Sequence, residues 1–229
     1  MKIEQWMIKE DYNPKWNMLY FGDKFDFRLI PKNCSTSAKV IWSKLNGLKC
    51  NDRTGEGNPH GIIPHDEATT GRRRKRITEQ GRLFRPDAKL VAVKRDPIER
   101  WISAINFCIV MNEKSIDSKS YSMYNDLHWI DWNINDIAQY QLENGFIVSE
   151  LLPQSYCAGG IDKYDLIYTM DTFDEFVSLL EQEFDTELPR VVTTKTKGIG
   201  KWSVDDLNED GLAIIKHIYS NDYKLGWHL

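Results

Sequence analysis

Leu90-Val91-Ala92-Val93-Lys94-Arg95-Asp96-Pro97-Ile98-Glu99-Arg100-Trp101-Ile102-Ser103 decides how this chain is read. The apolar run Leu90–Val93 has the length and β-branched content of a buried strand. Asp96 is a good helix N-cap, and Pro97 suits the first helical turn, where a missing N–H costs nothing. Ile102-Ser103-Ala104-Ile105-Asn106-Phe107 therefore reads as a helix. Arg95 falls at the strand's end, and Ser103 about two turns along the helix. A permanently charged fork and a hydroxyl in this arrangement suit one phosphate group.

A second strand-to-helix junction lies upstream. Phe25-Asp26-Phe27-Arg28-Leu29-Ile30 alternates apolar and polar, then yields to Pro31-Lys32-Asn33-Cys34-Ser35-Thr36-Ser37. Ala38 to Leu45 continues as an amphipathic helix, with Val40, Ile41, Trp42 and Leu45 inward. A loop of small residues entering a helix offers N–H groups and the positive dipole end to an anion. Lys32 adds a mobile charge, and Ser35, Thr36 and Ser37 add hydroxyls. The loop is not a Walker loop, because no Gly-x-x-x-x-Gly-Lys-Ser/Thr occurs in the chain.

Together, Pro31–Ser37 and Arg95–Ser103 resemble the two nucleotide motifs of sulfotransferases that use 3′-phosphoadenosine 5′-phosphosulfate (PAPS), above all their carbohydrate branch. The family carries a Pro-Lys-x-x-Ser-Thr-Ser-like loop for the 5′-phosphosulfate, then Arg-Asp-Pro-x-x-Arg-x-x-Ser for the 3′-phosphate. The resemblance implies that Lys32 and the amides of Asn33, Cys34, Ser35, Thr36 and Ser37 cradle the phosphosulfate. It makes Arg95 and Ser103 the 3′-phosphate clamp. Weaker likeness extends through Pro153-Gln154-Ser155-Tyr156-Cys157, Tyr164-Asp165-Leu166-Ile167 and the ending Ile218-Tyr219-Ser220-Asn221-Asp222-Tyr223. Lys197 stands where related enzymes place a basic loop over the nucleotide; a solvated loop is the alternative.

The 229 residues suffice for one sizeable domain with a full core, and 41% hydrophobic content with eight Trp excludes a disordered chain. A net charge of −4 gives no general reason to expect nucleic acid. The cysteines at 34, 50, 108 and 157 show neither a C-x-x-C pair nor dense spacing, against a zinc ribbon or disulfide scaffold. No signal core and no run of membrane-spanning length appears. The expectation is a soluble, cytoplasmic, single-domain enzyme of microbial or viral type, without metal, nucleic acid or membrane partners.

Strand and helix patterns alternate along the chain. Asn133 to Asn144 reads as a helix stopped by Gly145, and Asp165 to Met170 as a strand. Thr172-Phe173-Asp174-Glu175 resembles a capping box, and Ser203-Val204-Asp205-Asp206 is expected to open the last helix. The predicted fold is α/β: three α/β/α layers around a central parallel sheet, of the P-loop-NTPase-like sulfotransferase type, with ligands at the strands' carboxyl ends. Residues 46–87 are assigned to a variable acceptor-side region, and 112–132 to an irregular aromatic insertion.

Sulfuryl transfer to a hydroxyl or amine asks for alignment, charge stabilisation and a base. By the resemblance, Lys32 neutralises the leaving oxygen. His65 is the first candidate base and His60 the second, with Asp66 and Glu67 as carboxylate alternatives. The run Arg72–Arg76 grips an anionic acceptor, or is a solvated helix face, a nuclear-import-like sequence or a weak nucleic-acid patch. Aromatics between Tyr121 and Trp132 either stack on sugars or fill the core. His128, His217 and His228 read as structural. The rivals are a nucleotide kinase, a phosphatase, and a nucleotide- or polyanion-binding module without activity. The kinase lacks its Gly-Lys-Ser/Thr, and a phosphatase's Cys-x5-Arg fails because Val40 stands six residues beyond Cys34. Acceptor identity and oligomeric state are not legible.

Overall fold

The computed structural model describes residues 18–47, 87–115, 127–129, 131–146, 148–190 and 200–229. The chain divides into two compact units. A sheet unit comprises Asn13–Arg95, Gln154–Thr193 and Leu229, and a helical unit comprises Met1–Tyr12, Asp96–Pro153 and Thr194–His228.

The sheet unit holds β1 (Met18–Phe21), β2 (Phe25–Arg28), β3 (Lys89–Val93) and β4 (Leu166–Tyr168), in that spatial order. β2, β3 and β4 run parallel, while β1 pairs antiparallel with β2. The parallel sheet expected from the sequence is therefore extended by an antiparallel edge. The connecting turn needs Gly22: its φ is +54°, and a Cβ there would lie 2.8 Å from the Phe184 ring.

The register places Leu19 opposite Phe27, Phe27 opposite Val91, and Val91 opposite Leu166. Side chains alternate along a strand, so these residues share one face. That face joins a core with Ala38, Ile41 and Trp42 of α1 (Ser35–Leu45) and Phe173, Phe176, Val177 and Leu180 of a later helix, Phe173–Phe184. Phe176 sits among Phe21, Phe25, Phe27, Tyr168 and Phe173, with ring centroids 5.4–6.1 Å away. Fully burying such a ring stabilises by about 1.5–3 kcal/mol, before the additional worth of aromatic pairing. The Trp42 indole donates to the Tyr20 carbonyl at 3.0 Å, fastening α1 to β1.

The helical unit begins with α2 (Pro97–Ser115), so residues 112–115 are helix and not the start of an irregular insertion. Then come α3 (Ile134–Asn144) and, after the sheet unit's α4 (Gln154–Ala158) and α5 (Phe173–Phe184), α6 (Glu209–Ile218) and α7 (Ser220–Lys224). Gly145 ends α3 at φ +82°, as its sequence position predicts. The last long helix starts later than expected. Ser203 and Asp206 form a capping box around a single 3-10 turn, Val204–Asp206. α6 then takes its own N-cap from Asn208, whose side chain accepts from the Gly211 amide at 2.8 Å.

A buried relay ties this unit together. Trp101 Nε1 donates to Gln141 Oε1 at 2.6 Å, Gln141 Nε2 reaches the Tyr219 hydroxyl at 3.4 Å, and that hydroxyl donates to the Leu151 carbonyl. Arg100 is wholly buried, with Nη2 on the Glu150 carbonyl at 3.1 Å. Asn106 brackets Trp202, donating to its carbonyl at 2.8 Å and accepting from its N–H at 3.1 Å. Trp129 is core, whereas Trp132 is 38% exposed and packs edge-on against Tyr140 and the exposed His128.

Candidate functional site

The two candidate loops follow adjacent parallel strands, β2 and β3, and so emerge at the same end of the sheet. After β2 the backbone turns sharply through Pro31–Cys34. Lys32 (φ +68°) and Cys34 (φ +53°) both adopt the left-handed conformation. For side chains with a Cβ that conformation is uncommon and costs energy. The turn is held by the Asn33 N–H on the Ile30 carbonyl at 3.1 Å, and by the Asn33 side chain on the Val93 carbonyl at 2.7 Å.

Cys34 is the N-cap of α1 and makes no side-chain cap bond. The first intrahelical bond runs from Ala38 N to Cys34 O at 2.9 Å, so the N–H groups of Ser35, Thr36 and Ser37 lie ahead of the helical ladder. Ser35 and Thr36 are partly exposed; the Ser37 side chain is buried. The cradle expected over Asn33–Ser37 is thereby narrowed, because the Asn33 N–H already serves the turn.

Cys34 is 6% exposed, and its Sγ lies 3.4 Å from the Met170 sulfur. Burial pushes its thiol up to about 12, with the Arg95 charge opposing and Asp174 reinforcing. A packed thiol whose proton is held this high is a poor nucleophile, which counts against the phosphatase reading. Lys39, one turn beyond Ser35 on α1, is half-buried, and burial lowers its ammonium to about 8. The sequence pattern gives no hint of this, since a helical lysine at that spacing reads as solvated.

Arg95 closes the other side. Its Nη1 donates to the Lys32 carbonyl at 3.2 Å, so the ends of the two motifs touch. Its backbone is gripped by Gln154, the first residue of α4. Gln154 Oε1 accepts from the Arg95 N–H at 3.1 Å and from Asn33 Nδ2 at 2.6 Å, while Nε2 donates to the Arg95 carbonyl at 2.8 Å. A basic loop, a fork-bearing strand end and a helix start without an N-cap side-chain bond thus lie at one sheet end, donor types that suit an anion.

Asp96 starts α2 as its sequence predicts: one carboxylate oxygen accepts from Ile98 N at 2.9 Å and Glu99 N at 3.2 Å. Ser103 lies on α2 in the helical unit, 9% exposed. Thr172 does not form the expected capping box; its Oγ1 accepts from the Thr169 N–H at 2.9 Å instead. Asp165 serves the sheet, its Oδ2 accepting from Leu90 N at 2.6 Å. His60, His65, Asp66, Glu67, Arg72–Arg76 and Lys197 lie outside the described residues. Among the described residues, no group of three or more His, Cys, Asp or Glu is placed to hold a metal ion, and no helix is long and apolar enough to cross a membrane.

A family model described as "Sulfotransferase family" matches residues 22–225. Comparisons with curated proteins and with solved structures gave no match.

Proposed function

The chain belongs to the sulfotransferase family, and from that premise we propose that it moves the sulfuryl group of PAPS to a hydroxyl or amine. The acceptor is a carbohydrate, on the likeness of its motifs to the carbohydrate branch. We read 1–229 as one catalytic domain. The observation that carries the proposal is the 3.2 Å contact of the Arg95 guanidinium with the Lys32 carbonyl, where two parallel strands end side by side. One doubly phosphorylated adenosine needs cationic groups for both its ends, and here they stand on neighbouring loops.

The donor set fits such a nucleotide. Amides at the start of α1 would hold the 5′-phosphate, with the hydroxyls of Ser35 and Thr36 beside them. Arg95 would take the 3′-phosphate. Lys197 is the proposed cover over the phosphates. Bound PAPS supplies an SO3 group on a good leaving oxygen. Lys32 would neutralise charge growing on that oxygen, stabilisation that matters most as the bond breaks. His65, or else His60, Asp66 or Glu67, would take the acceptor's proton. Lys and Arg provide the positive charge, so the proposed mechanism routes no step through a metal.

Thermal-shift titration with adenosine 3′,5′-bisphosphate against ATP tests the donor site. Stabilisation by the bisphosphate at concentrations where ATP is inert supports the reading; preference for ATP overturns it. Transfer of labelled sulfate from PAPS across a panel of glycans, phenols and amines then identifies the acceptor. Glycan labelling is expected, and labelling confined to phenols or amines would replace the carbohydrate proposal.

A further inference from the structure

Gln154 is fully buried at the junction of the two motifs. β3 and β4 pair as far as Val93 and Tyr168, and the last ladder bond runs from Lys94 N to Tyr168 O at 2.8 Å. At Arg95, one residue later, β4 has ended. The Gln154 carboxamide takes the place of a strand there, meeting both the N–H and the C=O of Arg95 as a peptide unit would. The same Oε1 receives Asn33 Nδ2, which lies beside Lys32 in the turn. One planar group thus fixes the Arg95 backbone against the Lys32 loop.

We infer that Gln154 is a positioning residue that sets the spacing between the two anion-binding loops, matching them to a ligand with phosphates at both ends. The inference rests on the donor-site reading above. Its chemistry is narrow. Glutamate keeps the acceptor oxygen, but when ionised it has no hydrogen for the Arg95 carbonyl. Asparagine keeps both groups on a stem one methylene shorter. Alanine leaves half-buried backbone groups of Arg95 without this partner.

A ligand held at both ends gains from correct spacing, whereas a ligand held at one end does not. The test therefore compares adenosine 3′,5′-bisphosphate with 5′-AMP and 3′-AMP, by calorimetric or NMR titration of wild-type, Q154A, Q154N and Q154E protein. Q154A is expected to weaken the bisphosphate about tenfold or more, on the scale by which a misplaced contact is penalised, and each monophosphate by less than about threefold. Q154E should match Q154A at pH 8 and outperform it at pH 5, because protonation restores the missing donor.

Equal weakening of all three ligands, an unchanged bisphosphate affinity, or a Q154E to Q154A ratio independent of pH would each overturn the inference. If Q154A does not fold, Q154N and Q154E carry the same comparison. Failure of the underlying reading looks different: wild-type protein would then bind none of the three nucleotides.

Discussion

Two helices leave adjacent motifs and start in opposite ways. α2 is capped by the Asp96 carboxylate, which accepts from two amides of its first turn. α1 begins at a left-handed Cys34 with no side-chain cap. A carboxylate already bonded to the α2 amides would repel an incoming phosphate at that helix end. The N-cap side chain of α1 makes no such bond. One helix start is closed by a side-chain cap, and the other is the one we propose for an anion. On the proposed donor site, this division leaves the second motif to bind through the Arg95 side chain where the first can use backbone.

The comparison can be broken at Cys34. With its proton held to about 12 by burial, its thiolate population at pH 8 is depressed about 10³-fold relative to an ordinary thiol. Site-resolved alkylation should show Cys34 slower in the folded chain than in urea by at least that factor; equal rates would show the α1 start to be open and ionisable. The sign for stability follows. The unfolded chain loses this proton near pH 9 and the folded chain near 12, so stability is whole below pH 9 and falls as pH rises towards 12. Urea midpoints measured from pH 8 to 11 should fall, and fall less in Cys34→Ala.

Lys32→Ala should lower turnover by about 10²–10³ with little change in bisphosphate affinity, because its charge is wanted when the leaving oxygen develops. Full activity would remove Lys32 from the mechanism. Arg95→Ala should instead weaken bisphosphate binding by about 10- to 150-fold, the worth of a hydrogen bond to a charged group. A turnover defect at unchanged affinity would exchange the roles of the two residues. Asp96→Ala is the mildest. Uncapping α2 costs about 1 kcal/mol, read as a lower melting temperature, while bisphosphate affinity stays within about twofold. A large affinity loss would mean that Asp96 does more than cap.

Local chemistry was legible in the sequence. The Asp96 cap, the Gly145 stop and the strands around Phe27 and Val91 depend on residues a few positions apart. β1 was missed although Met18-Leu19-Tyr20-Phe21 followed by Gly22-Asp23 is a hairpin signal, because an apolar tetrapeptide does not declare its partner. Thr172 misled because a hydroxyl can bond backward as easily as forward. The likeness around Pro153-Gln154 marked a position without its purpose. The bonds of Gln154 span 59 and 121 residues, and only the folded chain brings Asn33 and Arg95 to one carboxamide.

Arg100 carries one last consequence. The two arginines of Arg95-Asp96-Pro97-Ile98-Glu99-Arg100 look alike as letters, yet the second lies wholly inside the protein, on the Glu150 carbonyl. A signature that scores both equally mixes two kinds of information: the first position serves the proposed ligand, the second the internal packing of the chain. A relative that kept Arg100 but lost Arg95 would keep this internal anchor without the proposed anion contact, and should be classified by shape rather than by reaction.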